Sequence, residues 1–227
     1  MFRFTRRLLS ACVLSAVAAS SALANEQPTL RAMFGATPLE HLDRGKTALL
    51  VIDFQNEYFT GRMPIPDGDA ALANTRQLIE YADRSEIPVY HIQHVAPAGA
   101  PVFAIDGESV KFHPQMQPRS HDQVLQKNTV SVFASTDLDK RLKAANIDTV
   151  IVAGLMTHAC VAAAARDAEP LGYKVVVASD ASATRAITRF NGEAIDKDSL
   201  HRAALASVED TFGDILTTSQ ILNLPIR

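Results

Sequence analysis

Three residues able to do chemistry stand where apolar runs end in this 227-residue chain. Asp53 closes the run Thr47-Ala-Leu-Leu-Val-Ile, and Lys127 closes the shorter run Val124-Leu-Gln. Cys160 follows Val150-Ile-Val-Ala-Gly-Leu-Met-Thr-His-Ala and leads into an alanine-rich stretch. A cysteine attacks as its thiolate, so its pKa has to come down from about 8.5. A helix N-terminus offers partial positive charge and free N–H groups, and a lysine beside the sulfur also favours the anion. A carboxylate within reach can take the thiol proton and return it to a leaving group. Taken singly, each residue has a plainer reading. Cys160 is a small buried side chain at a helix start, Asp53 caps a loop, and Lys127 is a solvated charge. Their spacing alone does not decide between the two.

Chemistry shared by Asp53, Lys127 and Cys160 needs a scaffold that gathers strand ends. Thr47–Asp53, Pro88–His94, Thr149–Ala153, Lys174–Ser179 and Asp214–Thr217 read as strands. Between them lie helical patterns. Gly68–Ser85 carries Leu72, Leu78, Ile79 and Ala82 on one face. Asp137–Asn146 has Asp137 in the N-cap position. Ala159–Leu171 is stopped by Gly172, Leu200–Val208 follows, and Ser219 caps a last turn. Apolar strands alternating with amphipathic helices predict a parallel sheet covered on both faces. Ligands bind such sheets beyond the carboxyl ends of the strands. The connection from Val95 to Leu125 carries Pro97, Pro101, Pro114 and Pro118, and reads as a lid or pocket wall.

The first 24 residues read differently. Arg3, Arg6 and Arg7 precede the apolar stretch Leu8–Ala19, and Ala22-Leu-Ala24 has the small-x-small form of a cleavage site. This predicts a secretory signal removed after Ala24, since the stretch is shorter than the roughly 20 residues of a membrane span. Thr5-Arg-Arg-Leu-Leu9 weakly resembles a twin-arginine signal. Leu9-Ser-Ala-Cys12 resembles a lipoprotein site with too little apolar sequence before it. Residues 25–46 then form a polar lead and 47–227 one domain, exported to the periplasm or beyond. Loss of Cys12 leaves Cys160 without a partner for an internal disulfide. A net charge of −3 gives no reason to expect nucleic acid or an anionic membrane as partner.

Four segments carry a resemblance to the isochorismatase-like cysteine hydrolases: Ala48-Leu-Leu-Val-Ile-Asp-Phe-Gln55, Lys127-Asn-Thr-Val-Ser-Val-Phe-Ala-Ser-Thr-Asp-Leu138, Val152-Ala-Gly-Leu-Met-Thr-His-Ala-Cys-Val161 and Val177-Ala-Ser-Asp-Ala-Ser-Ala183. The resemblance implies a three-layer α/β/α sandwich around a six-stranded, mainly parallel, Rossmann-like sheet. It implies an Asp–Lys–Cys triad at Asp53, Lys127 and Cys160, and a non-proline cis peptide at Leu155-Met156. An oxyanion hole would come from the N–H groups of Met156 and Cys160. The activity it implies is hydrolysis of a small amide or related C–N bond through a thioester. Vinyl-ether hydrolysis of the isochorismatase type and a non-catalytic binding member are the alternatives. A homo-oligomer is implied, and no cofactor. Gln55, Phe59, Phe112, His113 and Phe133 are expected to line the substrate pocket. His91 and His94 fall three apart on a strand and so on opposite faces, which speaks against the metal site of the nicotinamidases; each is read as a hydrogen-bonding or pocket residue.

Overall fold

The computed structural model describes residues 27–227. The signal features expected at Arg3 through Ala24, and the mature start at Asn25, lie outside the described residues.

The elements follow in the order α1 Leu30–Met33, β1 Thr47–Ile52, α2 Gly68–Arg84, β2 Val89–His94, β3 Gln123–Lys127, α3 Val132–Ser135, α4 Leu138–Ala144 and β4 Thr149–Leu155. After β4 come a π-helical turn Thr157–Val161, α5 Ala162–Ala168, β5 Lys174–Ala183, a small hairpin of β6 Ile187–Thr188 with β7 Ala194–Ile195, α6 Lys197–Thr211, β8 Asp214–Leu216 and α7 Thr218–Leu222. Six strands form one sheet in the order β3-β2-β1-β4-β5-β8. Every pairing in it is parallel.

β1 and β4 are buried along their whole length, which is why both are unbroken apolar runs rather than alternating ones. Leu49 and Val51 point into the core beneath α2 and α7, while Leu50 and Ile52 point into the core beneath α4, α5 and α6. A fully buried Leu or Ile contributes about 1.5–3 kcal/mol, so these two layers hold the central strands in place. Ala164, Ala165 and Ala168 are completely buried; their short side chains let α5 lie close on the sheet. The expected three-layer sandwich is therefore the observed one.

Several boundaries differ from expectation for local reasons. β5 runs on to Ala183 because its pairing with β4 slips, from Val152↔Val177 to Gly154↔Ser182. α6 starts at Lys197, where Asp196 accepts the Ser199 N–H; its exposed polar first turn hid it in the sequence. Thr217, not Ser219, caps α7, through a capping box with Gln220. Asp137 sits at the start of α4 but spends its carboxylate on Arg141 Nε, at 2.8 Å. The polar lead is tied down: Leu42 is fully buried, and its N–H and C=O bond Pro225 O and Arg227 N. Among the described residues no helix is long and apolar enough to cross a membrane.

Candidate active site

Parallel register carries distant residues to one place. Asp53 follows the last residue of β1, His94 ends β2, Lys127 ends β3 and Cys160 lies in the turn after β4. In space those strands stand side by side as β3-β2-β1-β4. His94 and Lys127 are direct register partners.

Lys127 Nζ is the hub. It lies 2.8 Å from Asp53 Oδ2 and 3.3 Å from Cys160 Sγ, so the three residues expected to act together are in contact. It also lies 2.8 Å from His94 Nδ1 and 3.2 Å from Thr129 O. Asp53 and Lys127 are buried, at 0% and 1% exposure, and Cys160 is 4% exposed. The Asp53–Lys127 contact is an ion pair rather than a well-directed hydrogen bond, and neither buried carboxylate oxygen has an aligned donor. A carboxylate left in that state is a ready proton acceptor.

The backbone is shaped for this placement. Asp53 has φ +54°, a left-handed conformation that non-glycine residues seldom adopt, and its N–H is held by Ile92 O at 3.0 Å. Such a residue carries strain of about 1–3 kcal/mol that the surroundings must offset. The expected cis peptide at Leu155–Met156 is present. Cys160 sits within the π-helical turn, not at the first turn of an ordinary α-helix. Two imidazoles brace that turn: His201 Nδ1 lies 2.9 Å from Thr157 Oγ1, and His158 Nδ1 lies 2.6 Å from Thr184 Oγ1.

Electrostatics correct one expectation. The thiol pKa is not lowered: burial, followed by the neighbouring Asp53 charge, pushes it up to about 12, against the opposing pull of Lys127. Burial also raises Asp53 above the usual carboxylate range, with Lys127 opposing. The raised thiol pKa favours the neutral thiol over the thiolate, and the group within reach to take its proton is Asp53. That transfer moves the negative charge from carboxylate to sulfur while the ammonium stays in contact with both, so the net charge of the buried set is unchanged.

Of the expected pocket residues, Gln55 meets His94 at this hub, and Phe112 and Phe133 pack against His91 and Tyr173. Gln55 is fully buried, and its side chain is taken up by backbone. Nε2 donates to His94 O and Val110 O at 2.8 and 2.6 Å, and Oε1 accepts the His94 N–H at 2.8 Å. Phe133 tilts against Tyr173, with ring centroids 5.9 Å apart. Phe112 meets His91 edge-on, on the face of β2 away from His94. His91 is itself paired with Asp122 at 3.2 Å. Phe59 and His113 pack on one another, with ring centroids 4.4 Å apart. His94 is the residue that sequence reasoning undervalued; the strand-end rule that singled out Asp53 and Lys127 applies to it equally.

Donor atoms of Asp53, His94 and Cys160 lie within 4.8 Å of one another, a set of metal-ligand type. The Lys127 ammonium stands against all three and supplies the cation there. Cavities open at several places among the described residues. One of about 420 Å³ lies between the lead segment and the start of β5, beside Arg31, Pro38, Glu40 and Tyr173. One of about 180 Å³ lies behind the nucleophile turn, beside Ser182, Thr184, Lys197 and His201. The third, of about 190 Å³, adjoins His91 and Arg119. None of these three is lined by Asp53, Lys127 or Cys160.

Four buried or half-buried imidazoles, His91, His94, His158 and His201, have pKa values lowered chiefly by burial, His94 to about 4. An unfolded imidazole takes its proton near 6.5, before these folded ones do, so the unfolded state binds more protons as pH falls. Folding stability should therefore decline from about pH 6.5 toward about 4, partly offset by the raised Asp53. The melting temperature followed across that range will show it, and a flat profile would contradict it.

A wholly parallel sheet that gathers a thiol, a carboxylate and an ammonium at its carboxyl edge defines an α/β protein with a site at the strand ends. The chain belongs to the isochorismatase family: the family model described as Isochorismatase domain matches residues 47–220. The secreted isochorismatase effector Isc1 of Verticillium dahliae is 30% identical, over 85% of this chain and 98% of its own. The maleamate amidohydrolase of Pseudomonas putida is 29% identical, over 76% of this chain and 83% of its own. The crystal structure of an isochorismatase from Pseudomonas putida KT2440 superposes with a TM-score of 0.79 at 28% identity, covering 86% of this chain and all of that one.

Proposed function

We propose that this family member is a cysteine hydrolase that cleaves a small amide or related C–N bond through a thioester. The observation that carries the reading is the single contact group of Asp53, Lys127 and Cys160 around one ammonium. Asp53 takes the Sγ proton, and the sulfur forms a bond to the substrate carbonyl carbon. The carbonyl oxygen becomes an oxyanion received by the N–H groups of Met156 and Cys160. Its collapse breaks the C–N bond as Asp53 returns the proton to the leaving nitrogen. Asp53 then takes a proton from water, the resulting hydroxide displaces the sulfur, and the proton goes back to the thiol. Lys127 compensates the negative charge at each stage. The maleamate amidohydrolase relative is named for such a bond.

A panel of amides, ureides and carbamates assayed for ammonia release tests the proposal. At least one class should turn over, with an acyl adduct of matching mass on Cys160 in quenched samples. Full activity in Cys160→Ala would overturn the thioester route and favour vinyl-ether chemistry. A panel with neither turnover nor adduct would favour a binding protein. Export belongs to the same proposal, since Isc1 is named as secreted and the N-terminal residues have the form of a signal. N-terminal sequencing should read Asn25, and an intact Met1 would refute it. A homo-oligomer, expected from the family, is tested by light scattering.

A further inference from the structure

We propose that His94 is a positioning residue, which as a neutral imidazole accepts a hydrogen bond from Lys127 through Nδ1 and so holds the ammonium between the Asp53 carboxylate and the Cys160 sulfur. The inference rests on reading Asp53, Lys127 and Cys160 as the reacting set.

A lysine ammonium has three protons to donate and nothing to accept with. It rides on a flexible four-carbon stem that does not fix its position. Its two shortest contacts here are Asp53 Oδ2 and His94 Nδ1, both at 2.8 Å; the Thr129 carbonyl and the sulfur are farther, at 3.2 and 3.3 Å. With the carboxylate as sole close acceptor, the ammonium would settle on it at the expense of the sulfur. A second acceptor as close as the first holds it at a point from which it also reaches Sγ.

An imidazole nitrogen facing an ammonium must present its lone pair. That places the His94 proton on Nε2 and keeps the ring uncharged. Burial and the adjacent Lys127 charge both work in this direction. The ring is also built to stay where it is. Gln55 brackets its peptide, accepting from His94 N and donating to His94 O, both at 2.8 Å. Phe103 stacks on the ring with centroids 4.8 Å apart and planes 25° apart. Register with β3 puts its Cα opposite that of Lys127. Gln55 thus gains a task in place of the substrate contact expected of it, as the clamp on His94.

Two substitutions separate an acceptor from a packing group. His94→Phe keeps a ring against Phe103 and removes the acceptor. His94→Asn gives up the ring but places an amide oxygen close to where Nδ1 stands. The readout is the rate of Cys160 alkylation by iodoacetamide as a function of pH, in the full chain, with melting temperatures measured alongside. His94→Phe should slow alkylation at neutral pH about tenfold, the scale of one charge-assisted hydrogen bond, and move the profile to higher pH. His94→Asn should recover most of that loss although it packs less well. Wild-type rate and profile in His94→Phe would overturn the inference. So would equal slowing in both variants, which would make His94 a packing residue. Lys127→Ala, run in parallel, separates the two levels, because Lys127 opposes the upward push on the thiol. If it slows alkylation and His94→Phe does not, only the role of His94 falls. If it too alkylates like wild type, the reading of the reacting set falls.

Discussion

Asp53→Asn will lower turnover by about a thousandfold or more, the range expected when a general base is lost, to a level near that of Cys160→Ala. The amide has the shape of the carboxylate but cannot take the thiol proton. Burial, the largest cause of the raised Cys160 pKa, persists in the variant and keeps thiolate scarce. The same change has a second effect. The Lys127 side chain, 1% exposed, loses its only close counter-charge among the described residues. An ion pair broken from one side inside a protein costs about 3–5 kcal/mol, so the urea midpoint should drop as well. The double variant Asp53→Asn/Lys127→Met separates the effects, because removing both charges spares the desolvation penalty. It should regain much of the stability and none of the activity. A single Asp53→Asn variant that keeps more than a tenth of wild-type turnover would end the case for Asp53 as base. One that keeps its full stability would mean that Lys127 sheds its charge when the partner is gone.

The second large effect lies one strand away. Gly154 in β4 has φ +146° and is the register partner of Ile52, the residue before Asp53. A Cβ built there would stand 2.3 Å from Ile52 O and 2.6 Å from Ile52 Cβ, both inside a buried sheet with no room to yield. Gly154→Ala should therefore cost at least about 4 kcal/mol, the scale reserved for severe core strain, and give little soluble protein. Gly172, which ends the helical segment after Cys160, is the control. Its φ is +95°, but a Cβ there would meet nothing within 4 Å. Gly172→Ala should cost only the roughly 1–2 kcal/mol of a left-handed alanine and remain folded. Melting temperatures of the two variants decide the matter; similar small losses in both would refute the close-approach argument.

Much of this architecture could be read from residue order. β1 and β4 announce themselves because strands buried on both faces have no polar alternation to blur them. Asp53 and Lys127 stood out because they end such runs. His94 ends one too, yet its spacing from His91 hides its partner. Its true counterpart is Lys127, on a strand reached only after the long proline-bearing connection, and that pairing depends on a register set by tertiary contacts. The direction of the Cys160 shift was misjudged for a related reason. A lysine and a helix start can be seen in a sequence, but the depth of burial that outweighs them cannot. The π-helical turn is equally invisible, since apolar spacing does not distinguish it from an α-helical one. Phe112 and Phe133 can be named from the sequence as candidates for a lining, but their ring partners, His91 and Tyr173, cannot, because those contacts arise from tertiary packing.

In the proposed hydrolase, a buried sulfur that keeps its proton until a substrate carbonyl arrives has a consequence for survival between turnovers. Peroxides and mixed disulfides attack the ionised form and need an approach path. Cys160 offers little of either, since burial raises its pKa and leaves it 4% exposed. The burial that makes this nucleophile weak on its own also shields it from chemical damage, so it can wait in its reduced form where oxidants are abundant.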